Sequence, residues 1–360
     1  YFLEPLLAHL DAEAFDLYLY HDHFREDDVS ARFRQRAKAW RRIVGQTNQA
    51  VEKLIRNDAP DILIDLSGHV AMTSRLPVFA RRVAPVQITY LGYPNTTGVP
   101  AMDFRFTDNV ADPEGEADPF ATERLVRFAP TAWTYAPPPE APEPVAPPAA
   151  DPARPVTFGC FNNLAKVTDR MLAVWGRILR AVPESRLVLK GRGLGEARVR
   201  ATFNQRLEKA GLAPNRVELI ERTDGLVEHL ALYRGVDITL DTFPYHGTTT
   251  TCEALWMGRP VVCLCGDMHM SRVGASLLAA VGRDEWVAED EDEYVRIATG
   301  LAADRAGLRE SCLGLREAMR ASVLLDHAGQ ARRFGEALRA CWREACERMA
   351  EPALATAEAR

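Results

Sequence analysis

No apolar run in this 360-residue chain is long enough to cross a bilayer as a helix, which argues against a membrane span and a membrane partner. Positive charge is also in short supply. The 44 Lys and Arg face 50 Asp and Glu, a net charge of −6, which argues against nucleic acid as the main partner. Cysteine is sparse and odd in number: seven residues, most of them inside apolar segments, read as reduced thiols of a cytoplasmic protein rather than a disulfide framework. Cys263 and Cys265 form Cys-x-Cys in "PVVCLCG", but no second pair of ligands has suitable spacing, so no metal site is expected. A starting Met and a signal peptide are missing too. Tyr1 opens directly on an amphipathic helix, and the chain reads as a piece of a longer one.

What is present is the composition of a globular protein, 47% hydrophobic and 26% charged, in a length that suggests about two domains. Short apolar runs alternate with longer helical patterns, the signature of parallel α/β architecture. In the first half, 15–21, 61–69, 86–92 and 102–108 read as strands, and 28–43 and 48–57 as helices. Residues 137–155 then hold nine of the 23 prolines. Proline lacks the donor for a sheet ladder and cannot continue a helix, so this segment reads as an extended linker between domains 1–136 and 156–360. The rhythm restarts with strands at 156–161, 186–191, 216–221, 236–241 and 260–265, separated by helices at 168–182, 194–211, 224–233 and 249–257. Helices dominate from there, 328–348 being the longest. Two Rossmann-like halves imply a cleft, and ligands of open parallel sheets sit beyond the carboxyl ends of the strands.

Several of those strand ends carry chemistry. "DTFPYHGTTTTCEALWMG" (241–258) places Thr248, Thr249 and Thr250 where a helix begins, and a helix N-terminus offers unsatisfied N–H groups and a positive dipole end suited to phosphate. Glu253, one turn in from Thr249, can accept ribose hydroxyls from the same face. The same residues also read as a capping box, Thr250-x-x-Glu253, which needs no ligand. "GCFNNLAKVTDRML" sets Asn163 and Lys166 in a tight turn after a strand, with Thr168 or Asp169 capping the next helix; the Lys166 ammonium can reach an anion there, or simply be solvated. His229 lies on the helix before strand 236–241. In the first half, His69 and Tyr93 follow strand ends in Gly-containing loops, and His69 is the candidate there for polar contact with a substrate. "EDEDE" (289–293) contains Asp-x-Asp, a pattern some metal-dependent sugar transferases use, but it opens a helical pattern whose dipole favours carboxylates.

Taken in order and spacing, "DILIDLSGH", "PVQITYLGYPNTTG", "CFNNLAKV", "LDTFPYHGTTTTCEALWMGRPVV" and "SRVGASLL" resemble the catalytic region of the O-GlcNAc transferase (SPINDLY-like) family, across essentially the whole chain. The resemblance implies an α/β GT-B fold whose first strand lies upstream of Tyr1. It also implies inverting, metal-independent transfer of N-acetylglucosamine from UDP-GlcNAc to Ser or Thr hydroxyls of a protein or peptide acceptor, without a further cofactor. An array of tetratricopeptide repeats usually precedes this region. Residue by residue, it assigns Lys166 to the diphosphate, Asn163 to a polar contact beside it, Thr249 and Thr250 to the phosphates, Glu253 to the ribose and His229 to the neighbourhood of the uracil. Animal members carry His where this chain has Thr248, Asp where it has Glu253, and a Lys near the uracil where it has Leu226. Lys166 and, on the acceptor side, His69 are the expected catalytic groups. Transfer of another UDP-sugar, a non-protein acceptor, or a non-catalytic UDP-sugar-binding module are the alternatives.

Overall fold

The computed structural model describes residues 1–70, 74–145 and 154–358. Parts of the loop after 61–69 and of the Pro-rich linker therefore lie outside the described residues. The chain forms two compact units, one of Phe2–Ala136 with the segment from Asp326 onward, the other of Pro137–Leu325 with Tyr1.

In the first unit, β1 (Tyr18–His21) pairs in parallel with β2 (Ala39–Arg42), and β3 (Ile62–Asp65), β4 (Val86–Thr89), β5 (Phe104–Asp108) and β6 (Arg124–Phe128) form a parallel sheet in that order. Period-2 alternation sends the side chains of β3 to two cores. Leu63 joins Val51 and Ile55 of α3 (Asn48–Asp58) and Phe79 of α4 (Leu76–Phe79). Ile62 and Ile64 join the opposite cluster, with Leu6 of α1 (Leu3–His9). The expected helix over 28–43 is divided. Residues Asp28–Arg36 are helical (α2), but the chain then extends, and pairing with β1 overrides the helical pattern. Trp40 stacks on His21 at 4.9 Å, and Arg41 bonds Asp58. The short strand β6 also emerges only in the structure. β1 and β3 are not paired; a cavity of about 810 Å³ lies between them, lined by both strands, α1 and the last helix.

The second unit is a six-stranded parallel sheet of β7 (Thr157–Cys160), β8 (Arg186–Gly191), β9 (Val217–Glu221), β10 (Ile238–Leu240), β11 (Val261–Leu264) and β12 (Val287–Ala288), in the order β12-β11-β10-β7-β8-β9. Helices α5 (Asp169–Ala181), α6 (Ala197–Lys209), α7 (Leu226–Ala231), α8 (Thr249–Trp256), α9 (Val273–Ala280), α10 (Glu291–Ala303) and α11 (Arg305–Ala321) accompany it. From β7 the chain winds outward through β8 and β9, then returns to β10 on the other side of β7. That reversal is a topological switch point, where open α/β sheets place their ligands.

The last helix, α12 (His327–Glu358), was expected with the second half but belongs to the first unit. Ala331, Phe334, Leu338, Cys341 and Ala345 repeat at helical spacing and pack with Ile88, Tyr90, Phe104 and Phe106. The described part of the linker lies on the second unit. Buried Arg316 donates to the Pro142 carbonyl at 2.7 Å, and buried Arg259 to that of Val145. Residues without sheet or helix partners thus satisfy their carbonyls on guanidinium groups.

Candidate functional site

At the switch point, two loops meet above the ends of β7 and β10. Asn162 follows β7 and is buried. Its Nδ2 donates to Asp241 Oδ1 at 2.7 Å and to Thr242 Oγ1 at 2.8 Å, and its Oδ1 accepts from the Thr250 hydroxyl. Asp241 Oδ1 also accepts from the backbone N–H groups of Thr242 and Gly247, both at 2.8 Å. One buried carboxylate oxygen therefore ties the loop after β10 to the loop after β7. Gly247 is required by closeness: a Cβ there would lie 2.4 Å from Thr250 Oγ1 and 2.6 Å from Asn162 Oδ1.

α8 starts at Thr249, with Thr248 at its cap position and no side-chain cap bond. The capping-box reading is thereby set aside, because Thr250 lies inside the helix and the Glu253 carboxylate turns to His229 instead. Among the described residues the Thr248 and Thr249 hydroxyls have no protein partner, while Thr251 spends its own on the Gly247 carbonyl. The first N–H groups of the helix have no carbonyl one turn back. Lys166 closes this end. It ends a single 3₁₀ turn, Leu164–Lys166; its Nζ donates to the His246 carbonyl at 2.7 Å and lies 4.1 Å from the centre of the Tyr245 ring. Burial pushes the Lys166 ammonium below the ordinary lysine range, against the pull of Asp241. Hydroxyls, helix N–H groups and one cation thus converge on one place, an arrangement suited to a diphosphate.

One turn further along α8, Glu253 is buried and its Oε2 is 2.9 Å from His229 Nε2. The other ring nitrogen of His229 is held by the ammonium of buried Lys190, at the carboxyl end of β8. Phe161 and Tyr233 flank the imidazole at 6.0 and 5.7 Å between ring centres. Among the described residues Glu253 Oε1 has no protein partner.

Known proteins with this arrangement are close at hand. The family model for glycosyl transferase family 41 matches residues 26–134 and 150–332. The chain belongs to glycosyl transferase family 41. A Petunia hybrida protein described as a probable UDP-N-acetylglucosamine–peptide N-acetylglucosaminyltransferase, SPINDLY, is 44% identical over 96% of this chain and 37% of its own length. The Arabidopsis thaliana SPINDLY protein is 41% identical over 96% of this chain and 38% of its own. The chain thus spans less than two fifths of the length of these relatives. An O-GlcNAc transferase of Thermobaculum terrenum superposes with a TM-score of 0.90 at 38% identity, covering 97% of this chain and 66% of that one. Anabaena HepE, solved with UDP and glucose, matches at a TM-score of 0.55 and 13% identity over 89% of this chain and 91% of that one, a likeness of fold. The fold is accordingly the GT-B type.

In this member of the family the structure gathers Lys166, Thr248, Thr249, Thr250, His229 and Glu253 in one unit. Asn163 stands apart from them in role. It is exposed, and its Oδ1 accepts from the Ala165 N–H inside the turn, while Asn162 faces inward. His69 belongs to the other unit. It is exposed, its Nε2 lies 2.7 Å from the Thr97 carbonyl, and its ring meets Tyr93 edge-on at 5.0 Å. The acidic run 289–293 opens α10: Asp290 caps it, and Glu291 and Asp292 pair with Arg170 and Arg177. Cys263 lies with Asp241 and His246 in a buried cluster. His246 is fully engaged there, Nε2 on the Leu264 carbonyl and Nδ1 on the Gly274 N–H, so it has no lone pair to spare for a metal.

Sequence reasoning missed Asn162, Asp241 and Lys190. The signal for Lys190 was present, as a charge ending the apolar run of "RLVLKG" where a strand meets the ligand side of the sheet. Gly247→Ala should crowd Thr250 and Asn162 and cost about 1–3 kcal/mol of stability, as overpacking does; chemical denaturation of the second unit measures it.

Proposed function

We propose that this chain transfers N-acetylglucosamine from UDP-GlcNAc to Ser or Thr hydroxyls of a protein, with inversion and without a metal. The observation that carries the reading is the meeting of Lys166 with the threonine-rich start of α8 at the switch point. The acceptor oxygen attacks the anomeric carbon as the bond from that carbon to the β-phosphate oxygen breaks. UDP departs with the electron pair, and its growing charge falls on Lys166, the Thr248 and Thr249 hydroxyls and the helix N–H groups, fixed dipoles that need no reorganisation, while Thr250 holds Asn162 in place. Glu253 takes the ribose, and His229 lies by the base. On the acceptor side His69 is the proposed base: donation from Nε2 to the Thr97 carbonyl leaves the lone pair on Nδ1. The relatives' printed activity supports this reading. A cytoplasmic site of action and a repeat array upstream belong to the same proposal.

The unpaired edges of β1 and β3, and the cavity between them, support a further part of it. A parallel strand of the longer protein, crossing over through α1 into β1, fits that slot, since parallel neighbours need such a crossover. Extending the chain upstream should slow hydrogen exchange at the amides of both strands; unchanged exchange would refute the strand.

Calorimetry with UDP in EDTA tests the donor site. Wild type should bind, and Lys166→Ala should bind more than tenfold weaker, at least ~1.4 kcal/mol. Equal affinity without Lys166 would return the threonines to a purely structural role. The pH profile carries a sign. Only the ammonium holds a diphosphate, and burial lowers its pKa, so affinity should fall as pH rises through a value below the ordinary lysine range. Lys166→Arg should move that fall to higher pH, and the two profiles are compared by the same titration.

A further inference from the structure

Lys190 is a buried cation in the donor unit to which neither the resemblance nor the matched motifs give a task. We infer that Lys190 is a positioning residue for ribose recognition, acting through His229 on Glu253; this rests on the donor-site reading above. The argument is one of hydrogen-bond direction. An ammonium has three donors and no acceptor, so the ring nitrogen it meets, Nδ1 of His229, must present a lone pair. The ring proton then resides on Nε2, which donates to Glu253 Oε2 at 2.9 Å. Lys190 thereby selects the tautomer in which His229 donates to Glu253.

That bond direction matters for what Glu253 does. A carboxylate accepts only, through two oxygens with about four lone-pair sites. His229 uses one site on Oε2, and Oε1 has no protein partner among the described residues, so acceptors remain for sugar hydroxyls. Among the described residues, Lys190 from β8 and Glu253 from α8 hold the two ring nitrogens, and the rings of Phe161 and Tyr233 flank the imidazole. With Lys190 removed, nothing on that side fixes the tautomer, and Nε2 can present a lone pair to Glu253, turning the carboxylate away from its place.

The test compares UDP with 2′-deoxy-UDP, and with inorganic pyrophosphate as a competitor, on wild type, Lys190→Met and Lys190→Arg. Wild type should prefer UDP by about tenfold or more, roughly the value of one hydrogen bond to a charged group. Lys190→Met, close in volume, should reduce the preference to about threefold or less, because the tautomer that donates to Glu253 is no longer enforced. Pyrophosphate should compete equally well with both. Lys190→Arg, still a donor without an acceptor, should keep the wild-type preference. A Met variant that retains the full preference overturns the inference. So does one that loses UDP, deoxy-UDP and pyrophosphate in equal proportion, since that is a general collapse of the site. Failure of wild type to bind UDP at all would instead overturn the donor-site reading, and this inference with it.

Discussion

A single buried carboxylate oxygen organises the second unit of this protein. Asp241 Oδ1 takes three hydrogen bonds, from Asn162, Thr242 and Gly247, and those three groups lie on segments that follow two different strands. Burying a carboxylate is costly unless it is well bonded, so the two segments can pack only in the arrangement that supplies these donors. The consequences spread outward. Gly247 is drawn in until no side chain fits, Asn162 is aimed so that its amide oxygen meets Thr250, and α8 starts with Thr248 and Thr249 unspent. Among the described residues Asp241 Oδ2 has no hydrogen-bond partner; it lies 4.0 Å from His246 Nδ1, and His246 offers Lys166 its carbonyl.

The same logic links the block around the threonines to "SRVGASLL". Gly274 has no room for a Cβ, which would lie 2.6 Å from Cys263 Sγ and 2.9 Å from Asp241 Oδ2. Its N–H is the donor that His246 Nδ1 accepts. The start of α9 therefore backs the loop that carries the cation's acceptor, and the two motifs form one piece of packing. Asn162, Asp241 Oδ1 and His246 in this layer are bonded to protein groups, and the outer layer of Lys166, Thr248 and Thr249 keeps capacity for a ligand. Division of labour between a satisfied inner shell and an unsatisfied outer one is what preorganisation requires.

Much of this was legible beforehand, because it depends on local pattern. Five of the six strands of the second half, the helix start at Thr168, the helix opened by 289–293 and the helix after the threonines follow from periodicity and capping residues; β12 does not. The threonine run was legible as an excess over what a cap needs. The division of 28–43 was not. Its helical spacing competes with pairing to β1, and the stack of Trp40 on His21 across that pair has no trace in either segment alone. β6 escaped for a similar reason: "RLVRF" carries two arginines, and it is a strand because β5 lies beside it.

The sequence by itself determined the class of fold, the alternation of strand and helix, and the polar residues set at the strand ends, since spacing, capping and side-chain chemistry act over a few residues. Tertiary structure decided which of them meet. It sent α12 back to the first unit, because the apolar stripe of Phe334 and Leu338 finds its cover on β4 and β5 rather than among its sequence neighbours. It turned Asn162 inward and Asn163 outward, a choice fixed by Asp241, 79 residues away. It brought Lys190, His229 and Glu253 into one chain of donors and acceptors from three separate elements. Hydrogen-bond partners far apart in sequence leave no local periodicity, so only the folded arrangement reveals them.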